Sequence, residues 1–185
     1  MKSLAIFCGA SMGNNPAHRQ IAVQTAELVA ERGMTLVYGG GNVGLMGVIA
    51  DAAMAKGGKV IGVIPNFLHR KEVAHQGLTQ IHYVETMHER KALMADLSDG
   101  FLALPGGFGT LDEFCEILTW SQLGLHKKPI GILNAHGYFD SLLAFFDQSM
   151  VDGFLAARLR QLVLEGSTPE EIIDLLSQRE RAESE

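Results

Sequence analysis

The chain has 185 residues, 47% hydrophobic and 19% charged, a composition that supports one sizeable core and excludes a disordered polymer. Fifteen Lys and Arg against 21 Asp and Glu leave a net charge of -6 without a basic cluster, which excludes a general nucleic acid polymer binder. Cys8 and Cys115 are too few for a disulfide framework, and no run approaches the roughly 20 apolar residues that span a bilayer, so a cytoplasmic protein with no membrane partner is expected.

Short apolar runs alternate with longer amphipathic segments. Strands are predicted at Leu4 to Cys8, Met34 to Tyr38, Lys59 to Ile64, Ile81 to Val84, Phe101 to Leu104 and Ile130 to Leu133, with a weaker one at Leu162 to Leu164. Strands apolar at successive positions are buried on both faces, so the class is α/β, a parallel sheet of about seven strands with helices on both faces. The first helix follows Asn15-Pro16, an N-cap and first-turn proline, and stops at Gly33. Further helices are predicted over about 45–56, 87–97, 110–123 and 138–151, and Ser167 or Thr168 before Pro169 opens a last one, whose polar end from about 178 is expected to fray. No repeat or linker interrupts the pattern, and residues 1–185 read as a single domain.

The glycines gather after three of these strands, in Gly9 to Gly13, Gly39 to Gly47 and Pro105 to Gly109, and each loop leads into a helix. Ligands of an open parallel sheet bind beyond the carboxyl ends of its strands, where the first N–H groups of the helices lack partners and attract anions. The loops therefore read as a phosphate cradle, with Ser11, Gly41 and Gly44 as additional contacts. Gly39, Gly41 and Gly44 also spell G-x-G-x-x-G, yet Ile64-Pro65-Asn66 stands where a dinucleotide fold needs a ribose-holding acid, which argues against an NAD enzyme.

Two segments carry the chemistry. Thr110-Leu111-Asp112-Glu113 reads as a capping box whose Glu113 is an ionised carboxylate held beside the anion-binding glycines. Met87-His88-Glu89-Arg90-Lys91 opens the helix after the fourth strand, and Arg90 can fork onto a phosphate or a leaving group while Lys91 adds a point charge. None of the seven histidines pairs at metal spacing, so no metal is expected.

These segments, P-G-G-x-G-T-x-x-E at Pro105 to Glu113 and M-H-E-R-K at Met87 to Lys91, resemble the LOG ("Lonely Guy") family of cytokinin riboside 5'-monophosphate phosphoribohydrolases. The resemblance extends from Cys8-Gly9-Ala10-Ser11 to His126-Lys127-Lys128. It implies a Rossmann-like, usually dimeric protein that needs no cofactor and hydrolyses the N-glycosidic bond of an adenine-type nucleoside 5'-monophosphate. It places the catalytic pair on Arg90 and Glu113, and the nucleotide contacts on Glu72, Arg90, Lys91, Gly107, Phe108, Gly109, Thr110, Leu111, Asp112, Glu113 and Thr119. A homodimer is expected through Leu118, Trp120, Leu123 and Leu125. The alternative is a nucleotide or cofactor carrier on the same fold, which binds without cleaving.

Overall fold

A computed structural model describes residues 1–68 and 74–184. The apolar runs become seven parallel strands: β1 (Ser3–Phe7), β2 (Thr35–Tyr38), β3 (Val60–Pro65), β4 (Gln80–Val84), β5 (Gly100–Ala103), β6 (Ile130–Leu133) and β7 (Val163–Gly166). They pair in the order β4-β3-β2-β1-β5-β6-β7. The helices between them are α1 (Pro16–Glu31), α2 (Gly44–Ala55), α3 (Asn66–Leu68), α4 (Met87–Asp96), α5 (Phe108–Gln122), α6 (Asp140–Val151), α7 (Ala157–Arg160) and α8 (Pro169–Ser184).

Alternation along the central strand divides the core in two. Leu4 and Ile6 of β1 meet α1, α2 and α8 through Ala26, Ile49 and Ile172, while Ala5 and Phe7 meet α4, α5 and α6 through Met94, Phe114 and Leu143. Both faces are thus apolar, which is why the strands read as unbroken hydrophobic runs. The chain winds outward from β1 in one direction to β4 and then in the other through β5 to β7. Between β1 and β5 the loops part, and the sheet has its topological switch point there.

Several helix ends follow from local chemistry. The Asn15 side chain accepts the Ala17 N–H at 3.0 Å and starts α1. Ahead of α4, Thr86 Oγ1 accepts the Glu89 N–H at 3.1 Å while Glu89 accepts the Glu85 N–H at 2.8 Å. At α8, Thr168 Oγ1 likewise accepts the Glu171 N–H at 3.2 Å while the Glu171 carboxylate accepts the Ser167 N–H at 2.7 Å. That helix runs to Ser184, so the segment expected to fray from about 178 is helical here, and Glu180 meets the N-terminal ammonium at 3.3 Å.

Most strand and helix ends lie within a residue of the sequence expectation, the short α3 and α7 were not expected, and three boundaries differ for reasons visible in local contacts. Helix α5 starts at Phe108 with Gly107 as its N-cap, because the Gly107 carbonyl already accepts the Leu111 N–H at 3.1 Å. Thr110 therefore lies inside the first turn, and the Thr110–Glu113 capping box is not formed. Helix α6 starts at Asp140, later than Tyr138, because a 3-10 turn over Ala135–Gly137, with His136 and Gly137 at positive φ, precedes it. Strand β7 sits one residue later than expected and extends to Gly166, whose carbonyl accepts the Asn134 N–H at 2.8 Å.

Candidate active site

The switch point opens into a cleft of about 510 Å³ between the loop after β1 and the loop after β5. The two loops touch at its floor, where Gly9 N–H donates to the Pro105 carbonyl at 3.0 Å. Gly106 has to lack a side chain there, since a Cβ would fall onto the Thr110 side chain and 2.9 Å from Gly9 N. Beyond Gly106, α5 presents an N-terminus whose cap residue offers no side chain. Thr110 Oγ1 is buried beside it without a hydrogen-bond partner among the described residues. A helix N-terminus with unpaired N–H groups and an unsatisfied hydroxyl is a receptor for an anion.

One turn into α5 lies Glu113, 9% exposed, and from the first turn of α4 comes Arg90, 5% exposed. Arg90 Nη1 stands 3.8 Å from Glu113 Oε1. The rest of the guanidinium is tied to backbone: Nε donates to the Val63 carbonyl at 3.1 Å and Nη2 to the Gly39 carbonyl at 2.9 Å. Arg90 is thus braced by the ends of β2 and β3 and turns Nη1 toward the carboxylate. Cys8 at the end of β1 also lines the cleft; burial, reinforced by the charge of Glu113, pushes its thiol well above the ordinary range. A thiol in that state is a poor nucleophile.

Of the residues singled out in the sequence, Ser11, Arg90, Gly107, Phe108, Gly109, Thr110 and Glu113 line this cleft. Phe108 is 93% exposed at its rim. Glu72 lies outside the described residues. Lys91 is turned away: it bridges α4 to α5, with Nζ 3.0 Å from Asp112 and 2.9 Å from Glu116. Desolvation works against its charge, but those two carboxylates outweigh it and raise its pKa. Leu111 packs against the second core, and Thr119 donates its hydroxyl to the Cys115 carbonyl at 2.8 Å. Gly41 and Gly44 are not among the residues that line the cleft. Gly41 bridges to Ala74, and Gly44 packs so closely on Ala10 and Ser11 that a Cβ would overlap their backbone.

His18 and Tyr138 escaped the sequence reading. Tyr138 donates its hydroxyl to the Gly106 carbonyl at 2.8 Å and meets the His18 ring edge-on at 5.1 Å between centroids. Asn15-Pro16 was a usable signal for His18, because it places the first turn of α1 at the same rim. Tyr138 comes from the loop after β6, and nothing local in the sequence connects it to Gly106.

A family model described as "possible lysine decarboxylase" matches residues 46–176. Probable cytokinin riboside 5'-monophosphate phosphoribohydrolase LOGL3 of Oryza sativa subsp. japonica is 45% identical over 96% of this chain and 84% of its own length. Cytokinin riboside 5'-monophosphate phosphoribohydrolase LOG7 of Arabidopsis thaliana is 42% identical over 97% of this chain and 82% of its own. The chain belongs to the LOG family.

The LOG fold extends to more distant proteins. The molybdenum cofactor binding protein of Rippkaea orientalis superposes with a TM-score of 0.70 at 23% identity, over 96% of both chains. The Moco carrier protein of Chlamydomonas reinhardtii does so with a TM-score of 0.73 at 20% identity, again over 96% of both. At that identity the likeness is one of fold alone. Among the described residues of this LOG protein, no helix is long and apolar enough to cross a membrane.

Proposed function

We propose that this protein hydrolyses the N-glycosidic bond of cytokinin riboside 5'-monophosphates, and of AMP, releasing the free base and ribose 5-phosphate. The observation that carries the proposal is the buried Arg90–Glu113 pair, 3.8 Å apart, one helical turn from the uncapped N-terminus of α5. In this reading the amides of Gly107 and Gly109 and the hydroxyl of Thr110 hold the 5'-phosphate. As the bond from C1' to the base breaks, positive charge grows on the ribose and negative charge on the base. Glu113 stabilises the sugar cation and orients the water whose oxygen bonds to C1', and the proton that water loses ends on the base. Arg90 holds Glu113 in place from Nη1, 3.8 Å away.

The decarboxylase description of the family model fits this site poorly. Pyridoxal chemistry uses a lysine whose amine is readily deprotonated. Lys91 has its pKa raised and faces two carboxylates, and no lysine lines the cleft among the described residues. A homodimer is also part of the proposal. Leu123 and Leu125, 66% and 69% exposed just beyond α5, supply its apolar surface, whereas Leu118 and Trp120 pack partly against the core of their own chain. Free Cys8 and Cys115 suit a reducing cytoplasm.

The test is release of adenine from AMP by Glu113→Gln. A loss of 100-fold or more, on the order of what one electrostatic group contributes, is the expected result when assayed well below the unfolding midpoint, which should fall because Arg90 loses a carboxylate 3.8 Å away. Turnover at the wild-type rate would remove Glu113 from the mechanism.

A further inference from the structure

We infer that Gly39 is a positioning residue for Arg90: the loop after β2 serves as the seat of the catalytic guanidinium. The role of Arg90 rests on the phosphoribohydrolase reading, whereas the seat itself is a matter of packing.

Gly39 follows the last residue of β2, and its carbonyl accepts Arg90 Nη2 at 2.9 Å while the Val63 carbonyl on β3 accepts Nε at 3.1 Å. The guanidinium therefore lies flat against the space where a side chain at position 39 would stand. A Cβ built on Gly39 would overlap Nη2 and lie 2.8 Å from Cζ. Its third neighbour, at 3.3 Å, is again Arg90, through Nε. Among the described residues no other atom comes closer, so the close contacts that demand glycine at 39 are made by Arg90. Nor does Gly39 belong to the glycines whose φ is positive. Alanine is thus compatible with the local backbone and incompatible with the seated arginine.

A steric demand set by one partner makes a distinctive prediction. In Gly39→Ala the guanidinium must leave its two carbonyls, and with them its place 3.8 Å from Glu113. In Gly39→Ala/Arg90→Ala the clash is gone, and the added methyl should cost nothing beyond what Arg90→Ala costs alone. The two positions should be non-additive in both stability and turnover, as residues in contact are.

The experiment is a double-mutant cycle on the full chain with three readouts: unfolding midpoint, adenine release from AMP, and the guanidinium NMR signal of Arg90, assigned by its loss in Arg90→Lys. The wild type should show a slowly exchanging Arg90 Nε–H, and Gly39→Ala should lose it. Turnover of Gly39→Ala should fall on the order of 100-fold, and the double variant should match Arg90→Ala in turnover and midpoint. If Gly39→Ala fails to fold while the double variant folds, the clash with Arg90 is established directly. The proposal is overturned if Gly39→Ala keeps the Arg90 signal, if the losses add, or if the double variant is as unstable as Gly39→Ala. Absence of adenine release by the wild type would count against the proposed activity instead, and the signal and the midpoints would still decide the seat.

Discussion

Arg90 and Glu113 are two charges taken almost wholly out of water, an arrangement that costs stability unless each is held by partners. Arg90 recovers part of that cost from the Gly39 and Val63 carbonyls, and the pair recovers more from mutual attraction across 3.8 Å. Removing the guanidinium takes a cation from 3.8 Å of the buried Glu113 and a donor from the Gly39 and Val63 carbonyls, so Arg90→Ala should destabilise the fold as well as slow turnover. Arg90→Lys is no conservative change either, because an ammonium cannot reach two carbonyls and a carboxylate in one plane. Tyr138 acts at one remove: its hydroxyl steadies the Gly106 carbonyl at the entrance to the anion-binding turn. Tyr138→Phe should raise KM for AMP up to about tenfold, matching one hydrogen bond of 0.5–1.5 kcal/mol, with kcat nearly kept. An unchanged KM would make Tyr138 part of the wall only.

At the scale of elements, α4 delivers Arg90 from its first turn, and the Thr86–Glu89 capping box fixes where that turn begins. Thr86→Ala should cost about 1 kcal/mol in denaturant unfolding. A second brace lies at the far end of α5, where His126 Nδ1 accepts the Lys128 N–H at 3.1 Å and its other ring nitrogen meets the Ile117 carbonyl at 3.1 Å. Only the neutral ring serves both contacts. Burial lowers the His126 pKa, with Lys128 adding to it and the Ile117 carbonyl opposing it. A folded pKa below the unfolded one means that stability is complete above the unfolded value, about 6.5, and is lost as pH falls through the folded one. Unfolding free energy should therefore drop from pH 7 toward pH 5, and His126→Gln should show a shallower drop; equal slopes would contradict this.

The elements also show what was legible. Strands β1, β2, β3, β5 and β6 were legible because burial on both faces makes them nearly unbroken apolar runs, whereas edge strands β4 and β7 keep polar positions such as His82 and Glu165, and the exact ends of most strands lie a residue from where the runs suggest. The start of α5 was misread because its cap is a glycine that follows another glycine, and only the Gly107 carbonyl bond shows which one begins the helix. The site was legible in Arg90, Glu113 and the loop after β5, whose spacing is local. It was not legible in the loop after β2, where Gly39 makes room for Arg90, 51 positions away, and Gly44 for Ala10. A phosphate cradle and a packing seat ask for the same residue type, and only the contacts distinguish them.

For the whole molecule, β1 and β5 are neighbours in space although α1, β2, α2, β3, α3, β4 and α4 intervene in the chain. That order brings two loops to one cleft and places a carboxylate from α5 against a guanidinium from α4. The exposed Leu123 and Leu125 argue for a second copy at the end of α5. Leu125→Asp should convert a dimer to a monomer by light scattering, and a wild type that scatters as a monomer at micromolar concentration would contradict the dimer.

In the proposed function the cleft breaks the bond between base and sugar. The most direct measurement incubates the wild-type protein with AMP and with N6-isopentenyl-AMP and quantifies base, ribose 5-phosphate and nucleoside together. Equimolar base and ribose 5-phosphate, with no nucleoside formed, is the predicted result; nucleotide that is bound and recovered intact would contradict it and make the protein a carrier.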